Sequence, residues 1–261
     1  MAKGAARLLA EDEPAPVRVL GEAGASDFLL TADHAGQAIP RRLGTLGVSA
    51  AERGRHIAWD IGIAGVTERL SALLDATAVL QVYSRLVIDC NRDPGHATSI
   101  PQVSELTEIP GNRGLGPADR EARRQEIFEP YHDRIAALLD AREAAGRRTV
   151  LVAMHSFTPV FKGESRAVEI GILYNRDDRL ARIMLDLLRA EEDLVVGDNA
   201  PYAITDTSDY TAPVHGERRG LPHVEIEIRQ DLIADGAGQQ AWAERLARLL
   251  VAADRRLRGV R

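Results

Sequence analysis

The sequence predicts an α/β fold: one domain with a mixed, mostly parallel sheet between helix layers. Three observations predict it. Short β-branched and aliphatic runs alternate with longer segments of helical apolar spacing, the order that builds a sheet covered by helices on both faces. No linker-like stretch divides the 261 residues, a length that one α/β domain can bury around a substantial core. Hydrophobic residues make up 45% and charged residues 28%, a globular balance.

The elements follow in chain order. Residues 1–25 read as a loose N-terminal arm with Pro14, Pro16 and many small residues, leaving 26–261 as the main domain. "DFLLTADH" (27–34) reads as a strand ending at His34. "HIAWDIGIAGVTERLSALLDA" (56–76) carries Ile57, Ile61, Ala64, Leu70 and Leu73 at helical spacing. "TAVLQVY" (77–83) and "LVIDC" (86–90) are β-branched and strand-like. Residues 91–117 are polar and rich in proline and glycine, a long loop of the kind that is usually functional or disordered. Residues 117–146 predict a long amphipathic helix with a break at Pro130. "RTVLVAM" (148–154) and "AVEIGILY" (167–174) read as strands, and "DDRLARIMLDLLRAEE" (177–192) as a helix. A second long loop spans 197–222, then "HVEIEIRQDLI" (223–233) is a strand and 239–257 a closing helix.

Several function classes are excluded at this level. A net charge of −6 and a pI of 5.7 argue against nucleic-acid binding, which needs a clustered basic face. The single cysteine, Cys90, permits no intramolecular disulfide. No apolar run reaches membrane-spanning length, and the N-terminus lacks a signal-peptide core. A cytoplasmic protein acting on a small molecule is the expectation; oligomeric state is left open, a homo-oligomer included.

The unusual polar residues collect at predicted strand ends, where sites form in open α/β sheets. His34 ends one strand, "DCNR" (89–92) another, and His155 in "VAMHSFTP" (152–159) a third. In "VEIEIR" (224–229), Glu225, Glu227 and Arg229 alternate with Val224, Ile226 and Ile228, so the charges share one face. That face is either the wet side of an edge strand or a carboxylate aimed into a cleft with Arg229 holding geometry. Two strand-end histidines and a carboxylate suit a catalytic zinc, which takes three protein ligands and keeps one position open. HExxH, GxSxG, phosphate-loop and dinucleotide signatures are absent.

The motifs "TADHAGQAIP", "HIAWDIG", "SRLVIDCNRDP", "MHSFTP", "EIGILYNRD" and "HGERRGLPHVEIEIRQDLI" together resemble the N-formylglutamate amidohydrolase family over about residues 27–235. The resemblance implies a zinc-exopeptidase-like α/β fold and hydrolysis of an N-formyl amide, typically N-formyl-L-glutamate, to formate and the amino acid. A more distant resemblance to zinc carboxypeptidases touches "DCNRDP", "MHSF" and "IEIR". By that likeness His34 and His155 bind one zinc ion, Glu227 is the base, and Asn91 and Arg92 grip a substrate carboxylate. Arg85 would stabilise the oxyanion, while Tyr202, Tyr210, His215 and Arg229 would contact or frame the substrate. One departure stands out. Gln37 occupies the position where carboxypeptidases carry a zinc-binding glutamate, so Asp60, with His56 on the same predicted helix face, is expected to supply the third ligand. The rivals are a related zinc carboxypeptidase, an N-acyl amino acid deacylase, and a binding module with a decayed metal site.

Overall fold

Seven strands form one sheet in the order β1-β3-β2-β6-β11-β9-β10. The computed structural model describes residues 7–207 and 209–259; residues 1–6 of the predicted arm lie outside them. In chain order the strands are β1 (Val17–Leu20), β2 (Phe28–Ala32), β3 (Thr77–Gln81), β4 (Val103–Ser104), β5 (Thr107–Glu108), β6 (Val150–Phe157), β7 (Val160–Phe161), β8 (Glu164–Ser165), β9 (Ile170–Leu173), β10 (Val196–Asp198) and β11 (His223–Arg229). The helices are α1 (Ala50–Arg53), α2 (Ile63–Leu74), α3 (Pro117–Arg123), α4 (Glu129–Ala144), α5 (Arg179–Arg189) and α6 (Gly236–Leu257). The central strands β3, β2, β6 and β11 run parallel, whereas β1 is antiparallel to β3 and β9 antiparallel to β11. β4–β5 and β7–β8 are separate two-stranded hairpins.

β2, β3 and β6 are buried at every position, as expected of parallel strands covered on both faces. Alternate residues feed two cores. Leu30, Val152, Met154, Val224 and Ile226 pack with residues of α2, α5 and α6 on one face. Leu29, Val79 and Leu151 pack with Tyr131, Ile135 and Leu139 of α4 on the other.

The structure revises several predicted elements. Val17–Leu20, read as part of a loose arm, is an edge strand of the sheet. "LVIDC" is buried but turns instead of extending: Leu86 N–H donates to Ser84 Oγ and Asn91 N–H to Asp89 Oδ1. Short polar side chains thus take backbone donors that a strand would have given to a neighbour. The helix expected from residue 56 starts at Ile63. Upstream, Gly62 has φ +82, and a Cβ there would lie 2.2 Å from the carbonyl oxygen of Ile233, so the chain enters α2 through a left-handed turn that favours glycine. His56 and Asp60 therefore do not share a helix face. At Pro130 the helix does not break. A π turn over Arg124–Phe128 links α3 to α4 and places Pro130 in the first turn of α4, where its missing N–H is tolerated. β11 is central and buried from His223 to Ile228, which removes the wet-edge reading of its glutamates.

Candidate metal centre and catalytic cleft

Three buried side chains converge beyond the C-terminal ends of the parallel strands. His34 follows β2, His155 lies in the second half of β6, and Asp60 precedes α2. A main-chain bond from Asp60 N–H to His34 O, 2.9 Å, ties the two loop segments together. His34, Asp60 and His155 offer one ligand atom each, all within 4.8 Å of one another. Asp60 Oδ2 stands 3.5 Å from His34 Nδ1 and 3.1 Å from His155 Nδ1. The outer nitrogens are held by carboxylates: His34 Nε2 lies 2.7 Å from Asp89 Oδ1, and His155 Nε2 lies 3.2 Å from Asp33 Oδ2. Such partners orient an imidazole and fix its tautomer, so that its other nitrogen faces a cation.

This set fits a metal. Two histidine nitrogens and one carboxylate oxygen are a known catalytic zinc triad, and His34 Nδ1 is buried with no hydrogen-bond partner. Burial and Arg85 oppose a proton on His34, but Asp89 and Asp60 overcome them and raise its pKa. Burial likewise opposes a proton on His155, and Glu225, Asp33 and Asp60 raise it well above the ordinary range. The field that would hold a proton there would also attract a divalent cation. Gln37 is exposed and takes no part in the cluster.

Glu225 and Glu227 enter the same space from β11, Glu227 paired in register with His155. Both are buried, and Oε2 of each has no partner among the described residues. Burial lifts the Glu227 pKa to about 7, opposed by His155 and reinforced by Asp60. Arg85 donates to Asp89 Oδ2 through Nε and Nη2, at 3.2 and 2.7 Å, with Nη1 3.5 Å from Asp60 Oδ1. It thereby neutralises the two acidic groups flanking His34.

A cleft of about 560 Å³ opens over this cluster. Of the predicted substrate contacts, Asn91, Arg92 and Tyr202 line it, as does His56. Arg92 Nη1 is 3.6 Å from Asp209. Asn91, however, is a clamp: its Oδ1 accepts the N–H groups of Tyr210 and Thr211 at 2.9 and 3.0 Å, and its Nδ2 donates to Asp209. Thr211 Oγ1 continues the chain to Asp33 Oδ1 at 2.8 Å, so the second long loop is anchored to the support of His155. His56 faces Glu105 at 3.5 Å and stands apart from the ligand trio.

Three expected contacts are corrected. Tyr210 and His215 do not line the cleft. The Tyr210 ring packs against Phe128 and His132 at 5.0 and 4.5 Å, and His215 Nε2 lies 3.0 Å from His132 Nδ1. Burial lowers His132 to about 4 and His215 to about 3, so this packed pair is neutral. Arg229 shares the glutamates' face, yet it turns outward to Asp231 and to the carbonyls of Arg166 and Ala167. Sequence reasoning gave no role to Asp33, and Asp89 entered it only as part of "DCNR" at a predicted strand end. The adjacency of Asp33 to His34 and of Asp89 to Asn91–Arg92 was the available signal.

The buried His–Asp–His cluster and the two glutamates stand at the C-terminal ends of the central parallel strands of an α/β sheet, where sites form in such folds. The family model described as N-formylglutamate amidohydrolase matches residues 26–234, and the chain belongs to that family. The gene product Atu2144 from Agrobacterium tumefaciens superposes with a TM-score of 0.93 at 43% identity, covering 97% of this chain and 100% of that one. An N-formylglutamate amidohydrolase from Ralstonia eutropha JMP134 shares the fold, with a TM-score of 0.67 at 21% identity over 95% of this chain and 100% of that one. No curated protein matches the chain significantly. No helix among the described residues is long and apolar enough to cross a membrane.

Proposed function

We propose that this amidohydrolase cleaves the amide of an N-formyl amino acid with one zinc ion held by His34, Asp60 and His155, and that N-formyl-L-glutamate is its substrate. The observation that carries the reading is the position of Glu227, a buried carboxylate without a partner, in register with His155 and in one cleft with the ligand trio. A bound zinc ion supplies Lewis acidity, which polarises a carbonyl oxygen and eases the deprotonation of water.

The residues of the chain do the rest. Glu227 takes a proton from water as the oxygen adds to the formyl carbon. It then delivers that proton to the amide nitrogen and the C–N bond breaks; the formic acid so formed cedes its proton to the amine, and formate and the ammonium form of the amino acid leave. A base with a raised pKa can both accept and return a proton near neutrality. Arg85 holds Asp89 and lies beside Asp60, so it keeps the ligand geometry and places positive charge next to the developing oxyanion. Arg92 offers a planar fork to the α-carboxylate. The ligands are a small molecule and a metal, in a cytoplasmic setting.

The test is an assay of formate release alongside metal analysis. Protein loaded with one zinc equivalent should release one formate per N-formyl-L-glutamate, and chelation should abolish turnover. Release of acetate from N-acetyl-L-glutamate with N-formyl-L-glutamate untouched would move the enzyme to the N-acyl deacylases. Full turnover after complete chelation would remove the metal from the reading.

A further inference from the structure

Among the cations at the cleft, the arginines on its wall are matched by acids. Arg85 is held by Asp89, and Arg92 faces Asp209. Arg166, which is not itself part of the lining but packs against side chains that are, is different. No carboxylate pairs with it among the described residues, and the one hydrogen bond of its guanidinium is from Nη1 to Tyr202 Oη, 2.6 Å. The guanidinium carbon lies 4.6 Å from the centroid of Phe161, 4.8 Å from that of Tyr202 and 5.7 Å from that of Phe157. All three rings belong to the cleft wall. The Lys162 ammonium lies 5.4 Å from the Phe161 centroid, so two cations without acidic partners share one ring.

The frame around Arg166 is fixed on both sides. Its backbone N–H donates to Pro159 O at 2.8 Å, and its carbonyl accepts from Arg229 Nη1 at 3.3 Å. Aromatic faces hold a guanidinium by its plane and leave its N–H edge free. A planar cation presented edge-on, with its counter-charge missing, is complementary to a carboxylate.

We infer that Arg166 is the specificity-determining cation of this cleft and takes the side-chain carboxylate of a dicarboxylic substrate. The inference rests on the proposed hydrolysis of N-formyl amino acids and deepens it. Arg92 and Arg166 divide the work: the first meets the α-carboxylate that every such substrate carries, the second reads the side chain. Tyr202, through its hydroxyl, sets the direction of the fork, and Arg229 fixes the backbone from which it projects.

The experiment compares kcat/KM for N-formyl-L-glutamate and N-formyl-L-norleucine in the zinc-loaded wild type, Arg166→Met and Arg166→Lys. The wild type should favour the glutamate substrate. Arg166→Met should lose about 10- to 50-fold on it, the effect of one charge-assisted contact at a partly exposed site, with the loss in KM, and change less than about two-fold on norleucine. Arg166→Lys should recover part of the loss, because charge returns without the fork. Equal losses on both substrates would mark Arg166 as structural and overturn the assignment, as would a wild type that prefers norleucine. If the wild type hydrolyses neither substrate, the functional reading has failed by itself. Calorimetric binding of L-glutamate and L-norleucine to wild type and Arg166→Met then decides: glutamate binding weakened by the substitution upholds Arg166, and binding that is absent or unchanged overturns it.

Discussion

Two clefts sit at opposite ends of the same strands. The one described above lies beyond the C-terminal ends of β2 and β6; the other, about 350 Å³, lies at the N-terminal ends of β6 and β11, where Arg148, Thr149 and Pro222 line it. Both are polar. At the N-terminal end every arginine is answered: Arg147 donates to Gly24 O, Arg148 pairs with Asp254 at 2.6 Å, and Arg219 with Asp140 at 2.6 Å. At the C-terminal end His34 Nδ1, Glu225 Oε2 and Glu227 Oε2 are buried and unanswered. A buried polar atom without a partner is costly to maintain. Isolated examples occur elsewhere, such as His223 Nε2 at the start of β11; the convergence of three on one cleft, and not polarity, marks the working end off from the bracing end.

The comparison breaks most visibly at His155. His155→Ala should lower zinc content and activity to background together, because it removes one of three ligands. A variant that retains one zinc equivalent by elemental analysis would detach the trio from the metal. Next in size, Glu227→Gln should keep the zinc and lower kcat by about 10²–10⁴-fold. Glu225→Gln is the internal control, and if that variant is the inactive one, the base has been assigned one pleat wrong.

The pH profile sharpens the same point. A base works deprotonated, so kcat/KM should rise with pH through the Glu227 pKa. Burial lifts that pKa to about 7, and a bound cation pulls it down. The acid limb should therefore have its midpoint between about 4.3, the ordinary glutamate value, and about 7, and it should vanish from the residual activity of Glu227→Gln. Asp89→Asn is expected to weaken zinc about 10- to 100-fold, the usual effect of losing the carboxylate behind a histidine ligand, measured by competition with a chelator. Smallest is the effect of Arg148→Ala at the bracing end. It should lower Tm by about 2–4 °C, as a loss of about 1 kcal/mol does in a chain of this size, with kcat/KM unchanged.

The sheet was legible because runs such as "FLLTA" and "VLVAMHSF" carry no wet face, and the α/β alternation follows from their spacing. What failed was the reading of turns. "LVIDC" has strand composition, but Ser84 captures the Leu86 amide and Asp89 the Asn91 amide just beyond the segment, a competition between side chain and neighbouring strand that only tertiary context decides. Asp60 was found through the missing acid at Gln37, although the helix face invoked for it does not exist. Asn91, Tyr210, His215 and Arg229 were placed on the substrate because they lie in the right segments. Sequence position gives the segment but not the rotamer: Asn91 lines the cleft but is engaged by the Tyr210 and Thr211 amides, Tyr210 and His215 pack on rings, and Arg229 turns to Asp231 and backbone carbonyls. Asp33 and Asp89 were invisible as supports because their role depends on which nitrogen of a histidine faces outward.

The two ends of the strand order have a consequence of their own. A sheet whose inner strands are apolar on both faces would template further chains if it ended in a long bare edge. Here the outermost strands are Val17–Leu20 and Val196–Asp198. Arg18 on the first is paired with Glu68 at 2.7 Å, and Asp198 on the second accepts from Tyr174 and Arg182. An incoming strand would find three or four rungs beside charged side chains, Arg18 on one edge and Asp198 on the other. The chain can thus concentrate its most aggregation-prone segments in the middle of the sheet while offering only a short, charged edge to cross-β growth at either side.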